Sequence, residues 1–107
     1  MKIIVGIPAF NEEKNIAVLI TQLKKIADKI IVCNDGSTDL TSEIAEELGA
    51  TVINHKKNLG YGAAIRSIFL KSKDLDVDIL VTLMLMDNIE LMILIKSLIR
   101  SLMENQI

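Results

Sequence analysis

The sequence predicts an α/β fold: an open parallel sheet with helices on both faces and strand order 3-2-1-4. Three observations carry this. Short runs of β-branched and aliphatic residues alternate with segments whose apolar residues recur at helical spacing, giving the order βαβαβαβ. Apolar runs end in polar turns that carry glycine, at 34–38 and 55–62. Right-handed crossovers between parallel strands then lead to the order 3-2-1-4. The chain has 107 residues, 50% of them hydrophobic, so a single domain over 1–107 with a packed core is expected.

Each element has its own signal. Lys2 to Ile7 reads as a buried strand, ended by Pro8. Asn11 is the expected N-cap of the next helix, with Glu12 and Glu13 in its first turn, where negative charge suits the helix dipole. Ile16, Leu19, Ile20, Leu23 and Ile26 supply that helix's apolar stripe. Ile30 to Cys33 is the second strand, followed by the turn Asn34 to Thr38. A helix is expected from Thr41 to Leu48, with Ser37, Thr38 and Asp39 as caps, Ile44, Ala45 and Leu48 facing inward, and Gly49 as its stop. Thr51 to Asn54 is a short third strand. The turn His55 to Gly62 leads to a helix from Ala63 to Lys73, expected to bury Ala64, Ile65, Ile68 and Phe69. Asp78 to Leu83 is the fourth strand. Beyond it, Leu91, Ile95, Leu98 and Leu102 form a stripe at helical spacing, read as a last core helix or as a dimer seam.

Composition narrows the function classes. The net charge is −2 and no long basic run exists, so no nucleic-acid partner is expected. Cys33 is the only cysteine and reads as a small core residue, with no metal-binding cysteine pattern. Met1-Lys2 leads straight into a strand, so no signal peptide is expected. The apolar stretches Ile79 to Met86 and Leu91 to Ile95 are split by Asp87, Asn88 and Glu90, so no transmembrane segment is expected either. A cytoplasmic location follows, with association at the membrane through a partner as the alternative. Open sheet edges and the apolar stripe make a homo-oligomer the expected state.

The second strand and its turn form the centre of the site. In open α/β sheets, ligands bind outside the carboxyl ends of the strands. Asp35 offers acceptor oxygens there, and Gly36 allows a tight turn or a close approach. The alternative is that these residues serve only as turn and cap. His55 has no orienting partner identifiable in the sequence, which argues against a catalytic base. Lys56 and Lys57 read as solvated.

Three segments taken together resemble the inverting family 2 glycosyltransferases, most closely the dolichol- and polyprenol-phosphate sugar synthases. They are Ile7-Pro8-Ala9-Phe10-Asn11-Glu12-Glu13, Asn34-Asp35-Gly36-Ser37-Thr38-Asp39 and Asn58-Leu59-Gly60-Tyr61-Gly62-Ala63-Ala64. The likeness covers residues 2 to about 83. It implies a truncated GT-A fold, Rossmann-like, corresponding to the nucleotide-sugar-binding half of the family domain. It further implies binding of a UDP- or GDP-linked sugar. Intact relatives, as hexosyltransferases, would transfer that sugar to a lipid phosphate or saccharide. By resemblance, Pro8, Ala9 and Phe10 would line the base and ribose pocket, with Glu12 nearby in the nucleotide site. Asp35 would meet the base or ribose. Asn34 would stand in the nucleotide site where many relatives have a second aspartate, and would keep its hydrogen bonding. Gly60, Tyr61 and Gly62 would bring a loop against the nucleotide.

The resemblance also implies Mg²⁺ or Mn²⁺, held in relatives by an Asp-x-Asp motif after the fourth strand. Here Met84-Leu85-Met86 stands at that place, so no metal site is assigned; Asp87 and Glu90 are the nearest oxygen ligands. Segments that supply the base and acceptor site in relatives would follow Ile107, so catalytic residues stay unassigned. Two readings result. One is a glycosyltransferase or its nucleotide-binding portion. The other is a non-catalytic nucleotide-binding or assembly module that has lost the metal motif and the acceptor half. The ordered motifs argue against an unrelated flavodoxin-like or receiver-like domain.

Overall fold

The computed structural model describes residues 2–84. Met86, Asp87, Glu90 and the stripe from Leu91 to Leu102 lie outside the described residues. The order is β1 (Ile3–Ala9), α1 (Ile16–Leu23), β2 (Lys29–Asp35), α2 (Thr41–Glu47), β3 (Thr51–His55), α3 (Tyr61–Lys73) and β4 (Ile79–Thr82). All strand pairs are parallel, and the sheet order is β3-β2-β1-β4, as the sequence predicts.

The alternation of side chains along β1 and β2 builds two cores. Ile3, Val5, Ile7, Ile30 and Val32 face α1 and α2, where Ile16, Leu19, Ile20, Leu23 and Ala45 meet them. Ile4, Ile31 and Cys33 face α3 and pack on Ala64 and Ile68. Fully burying one such isoleucine contributes about 1.5–3 kcal/mol. Gly6 sets the closeness of the second layer, because a Cβ there would lie 2.4 Å from Ile68 Cγ2. Helix α3 therefore sits tightly over β1, and its first turn is carried to the carboxyl end of the sheet.

Several boundaries differ from expectation. Helix α1 begins at Ile16 with Asn15 at its cap position. Glu12 and Glu13 lie in the preceding loop, and Asn11 adopts a left-handed conformation with φ 52°. Asn11 caps no helix. Its side chain faces the β2–α2 turn, where it has a stronger set of partners. Helix α3 begins at Tyr61, so Tyr61 and Gly62 belong to its first turn and the loop ends at Gly60. Phe69 is 51% exposed. The buried stripe of α3 runs through Ala64, Ile68 and Ser72, which turns Phe69 outward beneath Lys73, whose Nζ lies 5.0 Å from the ring centre. Gly49 ends α2 as expected, at φ 89°. Among the described residues, no helix is long and apolar enough to cross a membrane.

Candidate functional site

The carboxyl ends of β1 and β2 open into a cleft of about 340 Å³. Pro8, Ala9, Phe10 and Glu12 from the end of β1 form one wall. Asn58, Gly60, Tyr61 and Ala64 from the β3–α3 loop and α3 form the other. Asp35 closes the floor, and Met84 stands at the far side, after β4. Three sequence segments that are far apart in the chain thus meet in one place.

The wall after β1 is tied to the β2–α2 turn by side-chain bonds. The Asn11 N–H donates to Ser37 Oγ (2.8 Å), and the Thr38 N–H donates to Asn11 Oδ1 (2.9 Å). The Glu12 N–H donates to Thr41 Oγ1 (2.9 Å), and the Glu13 N–H to Asp39 Oδ2 (3.2 Å). In return, the Leu40 N–H donates to Glu13 Oε2 (3.0 Å). Ser37 and Thr38 therefore serve this seam, while Asp39 accepts from the Thr41 N–H at the start of α2 (3.0 Å). The seam holds Phe10 and Glu12 at the cleft mouth although neither lies in a helix or strand.

Asp35 is the hinge between the walls. Its Oδ1 accepts from the Leu59 N–H (2.9 Å) and faces His55 Nδ1 (2.8 Å), and its Oδ2 accepts from the Gly60 N–H (2.9 Å). A carboxylate has about four acceptor positions, so roughly one on Oδ2 is left for a ligand. Next to it, Gly36 has φ 78° and packs on the backbone of Lys57 and Asn58. The β3–α3 loop is thus fastened to β2 at consecutive residues.

Burial would push the Asp35 carboxyl up, but hydrogen bonds from His55, Leu59 and Gly60 outweigh it and hold it below the usual carboxylate range. The contribution of Asp35 to stability is therefore complete above the unfolded carboxylate pKa of about 3.9 and is lost as pH falls through the lower folded value. The stability gap between the unaltered chain and Asp35→Asn is expected to shrink steadily on acidification below that point, measured by urea unfolding. A gap independent of pH would show that the bonds to Asp35 do not stabilise its ionised form. Burial, with Asp35 nearby, pushes the Cys33 thiol up to about 11, which suits an inert core thiol.

Ser67, His55 and Asp35 form a relay in the order of a hydrolytic triad, with His55 Nε2 2.8 Å from Ser67 Oγ. Such chemistry needs free donors for an oxyanion beside the nucleophile. Ser67 lies in the middle of α3, where the backbone amides are committed to the helix, and it does not line the cleft. The relay is a structural link.

Of the residues expected at the site, Pro8, Ala9, Phe10, Glu12, Asp35, Gly60 and Tyr61 line the cleft, and Asn34 and Gly62 do not. Asn34 points to the opposite face of the sheet. There its Nδ2 donates to Asn54 Oδ1 (2.9 Å) and its Oδ1 accepts from the Ser37 N–H (3.1 Å). Gly62 is in the first turn of α3 and has open space where a Cβ would project. Asn58 and Ala64 also line the cleft; both stand in the third motif but carry no signal of their own.

The described residues do not fit a hard divalent cation. They contain no group of three or more His, Cys, Asp or Glu side chains placed to hold one. At the cleft, Met84 presents only a soft thioether.

Residues 4–84 match the family described as glycosyl transferase family 2. An uncharacterised protein of Methanocaldococcus jannaschii is 49% identical over 65 residues, covering 60% of this chain and 27% of that protein. A dolichyl-phosphate hexose transferase of Haloferax volcanii is 40% identical over 63 residues, covering 57% of this chain and 27% of the relative. Among solved structures, glucosyl-3-phosphoglycerate synthase of Mycobacterium tuberculosis, in complex with Mn²⁺, UDP and glucosyl-3-phosphoglycerate, superposes with TM-score 0.64 at 29% identity. That match covers 78% of this chain and 33% of the synthase. The chain thus spans about a third or less of the proteins it resembles. With sequence motifs, sheet order and family profile in agreement over most of its length, the chain belongs to glycosyl transferase family 2.

Proposed function

We propose that residues 1–107 form the nucleotide-sugar-binding half of a GT-A glycosyltransferase, and that the cleft takes a UDP- or GDP-linked sugar. One observation carries this reading: the three motif segments converge on a single cleft at the carboxyl end of a parallel sheet. The volume of about 340 Å³ falls in the range of small-ligand sites. Phe10 and Tyr61 are 46% and 54% exposed and offer aromatic surface to a base. The free acceptor position on Asp35 suits a base N–H or a ribose hydroxyl. The first N–H groups of α3 have no partner within the helix and lie beside the cleft, where a diphosphate would find donors. The Haloferax relative's name suggests a lipid-phosphate acceptor, which would place the complete protein at the membrane surface. Self-association belongs to the same reading, because β3 and β4 stand at the edges of the sheet among the described residues.

A second reading is favoured by Met84. With a thioether where relatives place the first metal carboxylate, the chain would bind nucleotide without turning it over, as a non-catalytic module.

Calorimetric titration with UDP, GDP and their sugar conjugates, with and without Mn²⁺, separates the two. Saturable binding without turnover of a lipid-phosphate acceptor supports the module, and metal-dependent transfer supports the enzyme. Binding of neither nucleotide would remove both.

A further inference from the structure

We propose that His55 is a positioning residue of the cleft, clamped between α3 and Asp35 so that the Asn58–Tyr61 wall is held ready for the nucleotide. The inference rests on the nucleotide-binding reading of the cleft.

His55 is the last residue of β3, opposite Asp35 in the β2–β3 register. Its side chain is 11% exposed and has three neighbours. Nδ1 lies 2.8 Å from Asp35 Oδ1, Nε2 lies 2.8 Å from Ser67 Oγ, and Cys33 Sγ lies 3.6 Å from Nε2. An ionised carboxylate only accepts, so Nδ1 carries a proton and donates it to Asp35. The Ser67 hydroxyl can then donate to Nε2, which fixes the ring plane.

The consequence lies on the far side of the carboxylate. The Oδ1 that His55 holds also accepts from the Leu59 N–H (2.9 Å), and Oδ2 accepts from the Gly60 N–H (2.9 Å). Rotation of the Asp35 carboxylate would break both loop bonds. His55 stands behind it and blocks that rotation, and Ser67 ties His55 to the helix whose first turn lines the cleft. A residue outside the cleft therefore sets the position of Gly60 and Tyr61 within it.

Two observables test this, and only one of them needs a ligand. Amide hydrogen exchange of the unaltered full chain should show protection at Leu59 and Gly60. In His55→Ala, exchange there should accelerate by about tenfold or more, the effect of losing a hydrogen bond to a charged group, while Val5 and Ile31 in the sheet stay protected. His55→Asn keeps a donor at the place of Nδ1 and should restore most of the protection. His55→Gln, whose amide reaches toward Ser67, should not. Nitrogen-15 shifts of the His55 ring should report a protonated Nδ1. UDP affinity should fall in the order unaltered chain, Asn, Gln, Ala.

Equal protection of Leu59 and Gly60 in His55→Ala and the unaltered chain would overturn the proposal. So would equal behaviour of the Asn and Gln variants, a comparison that decides the matter even if His55→Ala does not fold. If the unaltered chain binds neither UDP nor GDP while the exchange pattern holds, the nucleotide reading fails and the clamp stands as a purely structural device.

Discussion

Gly36→Ala is expected to destabilise the chain by about 3 kcal/mol, the sum of a left-handed backbone cost and an overlap that cannot relax. Gly36 has φ 78°, where a Cβ meets its own carbonyl. The added Cβ would also lie 2.4 Å from Asn58 N and Lys57 C. These are backbone atoms held in place by the Asp35 bonds to Leu59 and Gly60, so no flexible side chain can move aside. Gly62→Ala is the matched control. Gly62 is helical, and its Cβ would meet nothing within 4 Å. Alanine there should leave stability unchanged or raise it by about 0.5–1 kcal/mol through helix propensity. Thermal unfolding of both variants checks the pair. Equal melting temperatures would mean that the two loops are not interlocked at Gly36.

Placing acids at Met84 and Met86 should have the next largest effect. The unaltered chain is expected to bind UDP with little response to Mn²⁺, because Met84 at the cleft offers sulfur to an ion that requires oxygen. The double change Met84→Asp and Met86→Asp should couple the two ligands, with Mn²⁺ raising UDP affinity by roughly tenfold, a typical coupling between adjacent sites. Met84 is 57% exposed, so a carboxylate there pays no burial penalty. Calorimetry of both proteins with UDP, with and without Mn²⁺, reads the coupling directly. Tight Mn²⁺ binding by the unaltered chain would contradict the expectation and point to Asp87 and Glu90 as a relocated site.

The fold was legible because its signals are local. Runs such as Ile3 to Ile7 and Ile30 to Cys33 are buried on both faces and therefore read as continuous apolar strands. The strand order followed from right-handed crossovers with helices on both faces of the sheet. The cleft was legible through the three motif segments, two of which carry glycine. What escaped was non-local. Asn11 has the composition of a helix cap, yet its partners Ser37 and Thr38 lie across the sheet end. Asn34 and Asp35 are neighbours in sequence, but strand alternation sends one to each face, so only Asp35 reaches the cleft. His55 seemed to lack an orienting partner because that partner comes from another strand, in register with it. Phe69 reads as core by hydrophobicity, but the buried stripe of α3 runs through Ala64, Ile68 and Ser72 and leaves it exposed.

The most direct measurement of the central claim is a titration of the nitrogen-15-labelled chain with UDP and with GDP, followed at each backbone amide. A cavity of about 220 Å³ at the amino end of the sheet, lined by Lys24, Asp28, Gly49 and Ala50, provides an internal control. If the carboxyl-end cleft is the nucleotide site, saturable shifts should cluster at Phe10, Glu12, Asp35, Asn58, Gly60 and Tyr61, with Gly49 and Ala50 unmoved. Shifts confined to the amino-end cavity, or none with either nucleotide, would contradict the assignment.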